Sequence, residues 1–539
     1  MTALAEFAML AHGWRRLLLL AVAGAVAALS AAPLFLLVAL FAAMPVLVWA
    51  LDGAERRRTV LGVVFGPAFR IGVAFGFGYF AVSLHWIGAA FFVDGGLLVL
   101  MPFAVAGLAL LLALFWGLGT ALAHFFWSAG TGRIFALATG LTLAELARGY
   151  LFTGFPFNLL GYALTANAEM MQAASLAGVY GLTFIAILIS ATPALVWPGA
   201  ERSLIARLLP LLAAIGLIAL QIGWGNARLS QTETEPFEDV VLRVVQPVIS
   251  QDIKWQTFAR EETVSRLLDL STMRTHPGDR GLDDVTHLIW PEAAIPFFLS
   301  EEPQYLARIA RTLPDDIWLL TGAPREPYGT NGEIVLGAKP FNSILAFNGL
   351  GEVVTSYDKT HLVPFGEYLP FDDFFRGLGV NQFVTGSEGW AHGAERRLIE
   401  LPGSPAILPL ICYEIVFPGA LGAAAADAGF ILVVTNDAWF DGSIGPAQHF
   451  HHARVRAVEE GKSLVRAANS GISAIIDPLG RTDAMMAEGM VGAIKGTPDR
   501  PLEATVFVQY RHWPLVGMLL LGAVAALPGW VRRRRRLVD

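Results

Sequence analysis

The chain has 539 residues, of which 55% are hydrophobic and only 15% charged, and its formal net charge at pH 7 is −7. Soluble proteins are typically about 25% charged, so the composition excludes an ordinary soluble protein and indicates that much of the chain lies in lipid. The single cysteine, Cys412, excludes an intrachain disulfide and any metal site built from several thiolates.

Eight apolar segments have the length of a membrane-spanning helix, which needs about 20 mostly apolar residues. In chain order they are 15–31, 33–51, 68–92, 96–127, 133–152, 172–198, 204–224 and 514–531. We therefore predict a polytopic α-helical membrane domain at 1–224 with seven transmembrane (TM) helices. An eighth helix with a basic cytoplasmic tail is predicted at 513–539.

Basic clusters beside these segments predict the orientation of the chain. With the N-terminus in the cytoplasm, all of them fall on the cytoplasmic side: Arg15-Arg16, Arg56–Arg58, Arg133, Arg202 with Arg207, and Arg532–Arg536. Both termini are then cytoplasmic, and the segment between the last two helices is extracytoplasmic. Because the last cluster directly follows an apolar segment, it indicates a membrane anchor rather than a nucleic-acid site.

The first apolar segment has an alternative interpretation. Arg15-Arg16 followed by "LLLLAVAGAVAALSAA" is also typical of a signal peptide, with small residues near its end. Cleavage would leave the later helices in the same orientation, so topology does not decide between the two. We favour a retained helix, because a protein with several spans needs no separate cleavable signal.

Composition changes near residue 225, where charged and turn-forming residues begin, and we predict a separate domain at 225–512. Apolar strands alternating with amphipathic helices favour a layered α/β domain. The predicted strands are 240–246, 286–290, 317–321, 343–348, 352–357, 406–412, 431–436, 464–469 and 472–477. The predicted helices are 257–274, 302–312 and 446–461.

Three places in this domain depart from the pattern of a plain core. Glu292 ends a strand in "HLIWPEAAIPF", Lys359 and Glu367 lie in the apolar loop "SYDKTHLVPFGEYLPF", and Cys412 ends the strand "LPLICYEI". Taken singly, each has a plain alternative: a solvated carboxylate, a surface salt bridge, or a cysteine that packs as a small hydrophobe. Burying Glu414 directly after Cys412 and Tyr413 without a partner would be costly, which argues against plain core.

Together these places resemble the nitrilase (carbon-nitrogen hydrolase) superfamily, which uses a Glu-Lys-Cys triad in this chain order. Asn342 in "FNSILAF", Trp439 in "VTNDAWF" and the stretch "GPAQHFHHARVRAVEEGKSLVRAANSGISAIIDPLG" extend the resemblance. The resemblance implies an αββα sandwich. It also implies that Glu292, Lys359 and Cys412 are the catalytic residues.

The chain as a whole resembles the apolipoprotein N-acyltransferase family. In the outer domain, "YDKTHLVPFGEYLPF", "ICYEIVFPG" and "NDAWFDGSIGPAQHF" carry the likeness, although "FDGS" reverses the common order of glycine and acid. "VVQPVISQDIKW" places Trp255 where the family has a residue near its active site. In the membrane domain, "AELARGYLFTGFPFNLLGYA" matches at Glu145, Arg148, Gly154 and Pro156. Phe157 stands there in place of the usual Trp.

This resemblance implies lipoprotein maturation by acyl transfer in two steps. A phospholipid, with phosphatidylethanolamine preferred, donates an acyl chain to Cys412, and the thioester passes it to the α-amine of the diacylglyceryl-cysteine of an apolipoprotein. The implied location is the bacterial cytoplasmic (inner) membrane, with the catalytic domain on the periplasmic side. A monomer without cofactor, metal or nucleic acid is expected.

The resemblance also assigns roles around the triad. Glu292 is the expected general base, Cys412 the nucleophile, and Lys359 the oxyanion stabiliser together with the backbone N–H after Cys412. Supporting roles fall to Glu367, Tyr413 and Glu414. The expected substrate contacts are Trp255, Asn342, Trp439, Phe155, Pro156 and Phe157.

Two other functions are compatible with parts of the sequence. A membrane-tethered amidase of the nitrilase type would use the same triad to hydrolyse a small amide or nitrile. A transporter or receptor would need ionisable residues within its spans, for which His85 and His124 are the main candidates. His449, His451 and His452 contain no pair at i, i+4, so we do not predict a metal site there.

Overall fold

The computed structural model describes residues 2–55, 59–94, 98–197, 203–329, 331, 333–335, 337–370, 377, 389–422 and 424–538. The basic residues Arg56–Arg58 and Arg202, and the side chains of Arg532–Arg536, lie outside the described part. The chain divides into two compact units. One is formed by Met1–Thr232 with Thr505–Asp539, and the other by Glu233–Ala504.

The first unit is helical. Its α-helices are α1 (Thr2–Leu10), α2 (Gly13–Ala28), α3 (Leu37–Asp52), α4 (Val60–Val64), α5 (Pro67–Ser83), α6 (Ala90–Asp94), α7 (Met101–Phe125), α8 (Gly132–Tyr150), α9 (Ala168–Met171), α10 (Ala174–Ser190), α11 (Leu204–Gln231), and, after the second unit, α17 (Val506–Tyr510) and α18 (Trp513–Val538). Short 3-10 turns lie at His85–Ala89, Leu98–Leu100, Leu151–Thr153, Leu160–Leu164 and Thr192–Leu195.

Five helical stretches in the described part of this unit are long and apolar enough to cross a membrane. They are Val60–Ser83, Leu98–Phe125, Gly132–Thr153, Ala174–Leu195 and Leu204–Gln231. The predicted spans at 15–31, 33–51 and 514–531 coincide with α2, α3 and the first part of α18, whose apolar stretches are shorter. The unit is therefore that of a membrane protein with about five long apolar helices.

The second unit is built from two β-sheets. Its strands are β1 (Leu242–Gln246), β2 (His287–Ile289), β3 (Trp318–Arg325), β4 (Phe341–Phe347), β5 (Val353–Asp358), β6 (Ile407–Ile411), β7 (Phe430–Thr435), β8 (Leu464–Ala468), β9 (Ser473–Ile476), β10 (Thr482–Met486) and β11 (Gly492–Gly496). One sheet has the order β11-β1-β2-β3-β4-β5, and the other has the order β10-β9-β8-β7-β6. Pairs β1-β2, β2-β3, β6-β7 and β7-β8 are parallel, and the remaining pairs are antiparallel.

Helices cover the outer faces of the two sheets. They are α12 (Gln251–Lys254), α13 (Arg260–Thr272), α14 (Pro303–Thr312), α15 (Ala424–Asp427) and α16 (Gly445–Glu460), with 3-10 turns at Thr257–Ala259, Leu299–Glu301, Cys412–Val416 and Asp437–Phe440. Apolar residues of α13 and α14 pack on the six-stranded sheet, and α16 contacts β8 of the other sheet.

The core between the sheets explains why their central strands are apolar on both faces. Val244, Leu320 and Ile344 of one sheet share a buried cluster with Leu432 and Val465 of the other. Because helices bury the outer faces as well, β6, β7 and β8 read as continuous apolar runs rather than alternating ones. The result is an α/β sandwich of four layers, helix-sheet-sheet-helix, as the resemblance implied.

A buried histidine of this core leads us to expect that the stability of the second unit depends on pH. His287 at the start of β2 is buried between Thr286 and Ser404, with its ring nitrogens 2.8 Å from each hydroxyl. Burial lowers the pKa of His287 to about 4, from 6.5. Between these values the unfolded chain binds the proton more readily, so stability is full above about pH 6.5 and falls by about 3 kcal/mol toward pH 4.

We expect His287→Gln to flatten this loss of stability in acid. Thermal unfolding of the full chain in detergent, followed by tryptophan fluorescence at pH 7, 5.5 and 4.5, measures it. His276→Gln, at an exposed histidine, is the control and should keep the wild-type slope. A wild-type slope in His287→Gln as well would show that His287 does not cause the acid sensitivity.

Candidate active site

Three of the predicted residues form a buried charged cluster at one edge of the six-stranded sheet. The Lys359 Nζ lies 2.8 Å from Glu367 Oε1 and 3.6 Å from Glu292 Oε1. Asn342 joins the two carboxylates, since its Nδ2 donates to Glu292 Oε1 at 2.8 Å and to Glu367 Oε1 at 3.1 Å. Lys359 is 1% exposed. The cluster therefore holds one fixed cation between two carboxylates away from solvent.

The strand topology brings these residues together. Glu292 follows the end of β2, and Lys359 follows the end of β5, whose partner strand β4 begins with Phe341 and Asn342. The backbone N–H of Lys359 donates to the Asn342 carbonyl at 2.9 Å. Residues far apart in sequence thus meet because these strand ends share one edge of the sheet.

The turn that carries Glu292 packs directly on β3. The Gly322 N–H donates to the Pro291 carbonyl at 3.1 Å, and a Cβ on Gly322 would lie 2.6 Å from the Glu292 Cα. No side chain fits at that distance, so glycine at 322 is what allows the turn to approach the strand. Ala293, the residue after Glu292, has φ of +47°, a conformation that costs free energy for a residue with a side chain.

The electrostatics of the cluster keep Lys359 charged. Burial alone would lower the pKa of the Lys359 ammonium, but the charges of Glu367 and Glu292 outweigh burial, and the pKa lies well above its ordinary value. Glu367 is itself held in place, because its Oε2 accepts from the Val363 N–H at 2.8 Å. Glu367 thus orients the lysine and leaves Glu292 as the carboxylate that is farther from the ammonium.

Cys412 occupies a sharp turn between β6 and the 3-10 turn Cys412–Val416. Its φ is +50°, in the left-handed region. The thiol is within electrostatic range of both Glu292 and Lys359. Burial raises the pKa of the thiol, the charge of Glu292 raises it further, and the opposing effect of Lys359 is smaller. The thiol therefore holds its proton, and among the charged groups around it Glu292 has the largest effect on its pKa.

Glu414 fixes the cysteine turn to the lysine loop. Its Oε2 accepts from the Ile411 N–H at 2.8 Å and its Oε1 from the Thr360 N–H at 2.9 Å, and Tyr357 Oη lies within 3.0 Å of both oxygens. The side chain is fully buried. Burial would raise the pKa of Glu414, but Arg396 and the donated hydrogen bonds lower it below its ordinary value. Glu414 is thus a buried anion that couples residues 411 and 360.

We expect Glu414→Gln to destabilise the second unit by about 3–5 kcal/mol, the typical cost of removing one member of a buried charged network. Both carboxylate oxygens accept hydrogen bonds, so the NH₂ of glutamine must face a donor. Thermal unfolding of the full chain measures the effect. The control is Glu400→Gln, at an exposed carboxylate, which should unfold at the wild-type temperature. A wild-type unfolding temperature for Glu414→Gln as well would contradict the prediction.

Aromatic residues lie beside the charged cluster. The ring centroids of Trp255 and Trp390 are 6.3 Å apart. The backbone N–H of Trp390 donates to the Glu367 carbonyl at 3.0 Å. Trp255 Nε1 is buried without a hydrogen-bond partner among the described residues. Tyr413 packs edge-on against Phe417 at 5.0 Å. Trp255 is thus a predicted contact residue whose polar atom has no hydrogen-bond partner in the described part of the chain.

The other two predicted contact residues of this unit, Asn342 and Trp439, have different surroundings. The Asn342 amide uses both N–H groups on carboxylates, which makes it a bridge within the cluster. Trp439 is half-buried on the 3-10 turn after β7, and none of the contacts in the described residues joins it to the Glu292, Lys359 and Cys412 side chains.

The predicted contact residues of the membrane unit lie on a loop fixed by a buried ion pair. Arg148 pairs with Glu145, both on α8 and both at most 1% exposed, and its Nη1 donates to the Phe157 carbonyl at 2.9 Å and to the Phe155 carbonyl. Pro156 is buried in the same loop. The interpretation that His85 and His124 are the main ionisable residues of the spans was therefore incomplete.

The most exposed hydrophobic residue after α8 is one that the sequence did not single out. Phe157 is 5% exposed and packs against Trp86 with ring centroids 5.4 Å apart. Phe152 is 82% exposed and has φ of +54°. In the sequence, Phe152 is marked only by its place in "YLFTGF", three residues before the predicted contact residue Phe155.

Lys254 is a further residue at the site that the sequence reasoning missed. It is 1% exposed, and its Nζ donates to the Glu292 backbone carbonyl at 3.3 Å. Burial lowers the pKa of Lys254 and the charge of Glu292 offsets part of this effect, so that the resulting pKa is about 7. Lys254 directly precedes Trp255, so the motif that drew attention to the tryptophan also contained the lysine. Its ammonium helps to hold the turn that carries Glu292.

The histidines of α16 do not gather metal ligands. Among the described residues, no group of three or more His, Cys, Asp and Glu side chains is arranged to hold a metal ion. His449 instead contacts the backbone of Cys412 and the Asp437 carboxylate. His449 thus connects the backbone of the cysteine turn to Asp437.

Comparison with known proteins first identifies the class. The sequence profile of the carbon-nitrogen hydrolases matches residues 244–497, which contain β2 to β11, most of β1 and the whole cluster around Cys412. A solved amidase of the nitrilase superfamily from Nesterenkonia is 17% identical, with a TM-score of 0.34, over 53% of this chain and 99% of its own. By its sequence profile, most of the second unit matches the carbon-nitrogen hydrolases.

The remainder of the chain identifies the family. The profile of the apolipoprotein N-acyltransferase N-terminal domain matches residues 23–192. The apolipoprotein N-acyltransferase of Rhodopseudomonas palustris is 40% identical over 95% of this chain and 95% of its own length. The apolipoprotein N-acyltransferase of Bradyrhizobium diazoefficiens is 41% identical over 97% of this chain and 96% of its own length. The chain belongs to the apolipoprotein N-acyltransferase family, and it is therefore an acyltransferase enzyme.

Proposed function

We propose that this enzyme moves an acyl chain from a phospholipid to the α-amine of the N-terminal diacylglyceryl-cysteine of an apolipoprotein, through a thioester on Cys412. The observation that carries the proposal is the cluster of Glu292, Lys359 and Cys412, in which a protonated thiol lies near one carboxylate and one fixed ammonium. The acceptor is the kind of molecule after which the full-length relatives are named.

In the first step, Glu292 removes the thiol proton as Cys412 Sγ attacks the ester carbonyl of the phospholipid. The S–C bond forms, and the carbonyl oxygen becomes an oxyanion that Lys359 and the Tyr413 N–H stabilise. The C–O bond to glycerol then breaks, and the leaving alkoxide takes the proton from Glu292. The products are a lysophospholipid and the thioester.

In the second step, the α-amine of the acceptor attacks the thioester carbonyl and Glu292 receives a proton from the nitrogen. The new C–N bond forms with a second tetrahedral oxyanion, which the same two donors stabilise. The C–S bond then breaks, and the proton passes from Glu292 to the departing thiolate. The thiol and the carboxylate are restored, so no cofactor is consumed and the cycle can repeat.

Burial of the cluster supports transfer to an amine over hydrolysis. Glu292 and Glu367 are each 7% exposed and Lys359 is 1% exposed, so little of the charged cluster is open to bulk water. Exclusion of water strengthens the electrostatic interactions of the site and protects a reactive thioester. Trp255 and Trp390 add apolar surface next to Glu367.

We further propose the finer organisation of the chain. It comprises a membrane domain at 1–224 with seven TM helices, a catalytic domain at 225–512, and an eighth helix at 513–539. The catalytic domain lies on the periplasmic side of the bacterial inner membrane and both termini are cytoplasmic. Support comes from the division of the chain after Thr232 and Ala504 and from the distribution of basic residues. Phosphatidylethanolamine is the proposed donor, and the enzyme acts as a monomer.

The proposal is tested with purified enzyme, phosphatidylethanolamine and a diacylated lipopeptide that has a free N-terminal amine. We expect a product one acyl chain heavier and one lysophospholipid for each product. The same lipopeptide with an acetylated amine is the control and should remain unchanged. Release of ammonia from small amides without any acylated lipopeptide would contradict the proposal and indicate an amidase.

A further inference from the structure

A buried chain of polar side chains reaches the backbone of the cysteine turn. His449 of α16 has Nε2 3.1 Å from the Cys412 carbonyl oxygen and Nδ1 3.1 Å from Asp437 Oδ1. Asp437 also accepts from Thr435 Oγ1 at 3.0 Å and from Arg466 Nη2 at 2.6 Å. His449, Asp437 and Arg466 are all 5% exposed or less. The contacts therefore form one continuous path from Arg466 to the nucleophile's own peptide group.

The contacts define which nitrogen of His449 carries hydrogen. A carbonyl oxygen can only accept, so Nε2 must be the donor to Cys412. Burial would raise the pKa of Asp437, but Arg466 and His449 outweigh it and hold the pKa below its ordinary range. Asp437 is therefore a carboxylate next to Nδ1, and Arg466 Nη2 lies 3.1 Å from the same nitrogen. The position of Asp437 depends on Gly471, because a Cβ there would lie 2.1 Å from Asp437 Oδ2.

The Cys412 carbonyl belongs to the same peptide group as the Tyr413 N–H. A hydrogen bond to the oxygen of an amide increases the double-bond character of its C–N bond and makes its N–H a stronger donor. In the proposed mechanism this N–H faces the oxyanion. The contact from His449 thus acts on a group that takes part in the reaction, although the imidazole lies behind the peptide.

We propose that His449 is a positioning residue that polarises the Cys412–Tyr413 peptide and holds the left-handed turn of Cys412, so that the Tyr413 N–H stabilises the oxyanion. Asp437 Oδ1 and Arg466 Nη2, each 3.1 Å from Nδ1, fix the orientation of the imidazole. The inference rests on the proposed function, since it concerns the oxyanion of the acyl-transfer reaction. It gives a role to a histidine that the sequence analysis considered only as a metal ligand.

A second interpretation is that His449 only fills space in a buried helix. His451 provides the comparison, because it lies two residues further along α16 and is 4% exposed. Replacing either histidine by phenylalanine disturbs the packing of the same helix. Only the replacement at 449 removes the donor to the Cys412 carbonyl. A change seen at 449 and absent at 451 therefore reports the polarised peptide.

The experiment uses the full enzyme and phosphatidylethanolamine labelled with ¹³C at the acyl carbonyl, without acceptor, so that the thioester accumulates. Isotope-edited infrared spectroscopy then measures the stretching frequency of the thioester carbonyl. We expect His449→Phe to move this band to higher frequency. In a separate turnover assay with the diacylated lipopeptide as acceptor, we expect it to lower kcat about 3- to 10-fold with KM unchanged, as for one lost hydrogen bond. His449→Gln, which keeps an N–H donor, should restore both, and His451→Phe should leave the band in place.

Each outcome separates this inference from the proposed function. If the wild type forms no labelled thioester, the proposed function itself fails. If the wild type forms it and His449→Phe gives the wild-type band and kcat, the polarising role is overturned while the acyl transfer stands. Should His449→Phe not fold, His449→Asn replaces it with the same expectation, because its shorter amide does not reach the Cys412 oxygen.

Discussion

Replacing Glu292 by glutamine is expected to lower the rate of acyl transfer about 1000-fold. Glutamine has the shape of glutamate, and its oxygen can still accept from Asn342 Nδ2, which lies 2.8 Å from Glu292 Oε1. The substitution removes the base that takes the thiol proton, and a positioned general base typically contributes 100- to 10,000-fold. Because the pKa of Cys412 is raised, little thiolate forms without that base. Steady-state assays and single-turnover acylation measure the loss.

The matched control for this prediction is Glu301→Gln, at an exposed carboxylate of the same unit. It should retain wild-type activity. Both steps use Glu292, so the variant should be slow to form the thioester and also slow to pass a preformed acyl group to the amine. A variant that forms the thioester at the wild-type rate would show that another group is the base.

Replacing Lys359 by methionine is expected to have the second large effect, a loss of about 100- to 1000-fold in kcat, as for the removal of one oxyanion donor. Methionine matches much of the length of lysine but has no charge. Its introduction also leaves Glu292 and Glu367 as two buried carboxylates on one Asn342 amide. Because removing one partner of a buried pair costs about 3–5 kcal/mol, the temperature of thermal unfolding should fall together with activity.

A double variant separates these two effects of Lys359→Met. Glu367→Gln removes the charge that pairs with Lys359 at 2.8 Å, so Lys359→Met with Glu367→Gln balances the buried charge. We expect this double variant to regain most of the lost thermal stability and to remain as inactive as Lys359→Met. Recovery of activity along with stability would show that Lys359 serves folding alone and is not the oxyanion donor.

The sheets of the second unit were largely predictable because their strands are apolar on both faces. The predicted strands 406–412, 431–436 and 464–469 correspond to β6, β7 and β8 within one or two residues. The strands β10 and β11 were missed. The β10 sequence "TDAMM" has partly exposed residues and little β-branched character, so it forms a strand through its pairing with β9 rather than by its own propensity.

The positions of Glu292, Lys359 and Cys412 at strand ends were predictable from motifs, whereas the contacts around them were not. Glu292 and Lys359 follow strands of the six-stranded sheet and Cys412 follows β6 of the other sheet, and strand ends bring residues that are distant in sequence together. The bridge that Asn342 makes between Glu292 and Glu367 depends on the antiparallel pairing of β3, β4 and β5. No spacing along the chain reveals such a contact before the register is known.

The membrane unit shows the limit of hydropathy. A sliding count of apolar residues finds the long helices α7 and α11, but it does not distinguish a span from a shorter apolar helix such as α3, which contains Pro45 and ends at Asp52. The same count treats Glu145 and Arg148 as isolated charges. In the folded unit they neutralise each other at i, i+3 and hold the loop after α8.

The most direct test of the proposed mechanism is the intact mass of the purified enzyme after incubation with phospholipid and no acceptor. We expect a mass increase of one acyl chain, which hydroxylamine removes as it does other thioesters and which a diacylated lipopeptide discharges with formation of its N-acylated product. Cys412→Ala should show no increase. An unmodified wild-type enzyme that still acylates the lipopeptide, or an adduct that persists in Cys412→Ala, would contradict an acyl-enzyme at Cys412.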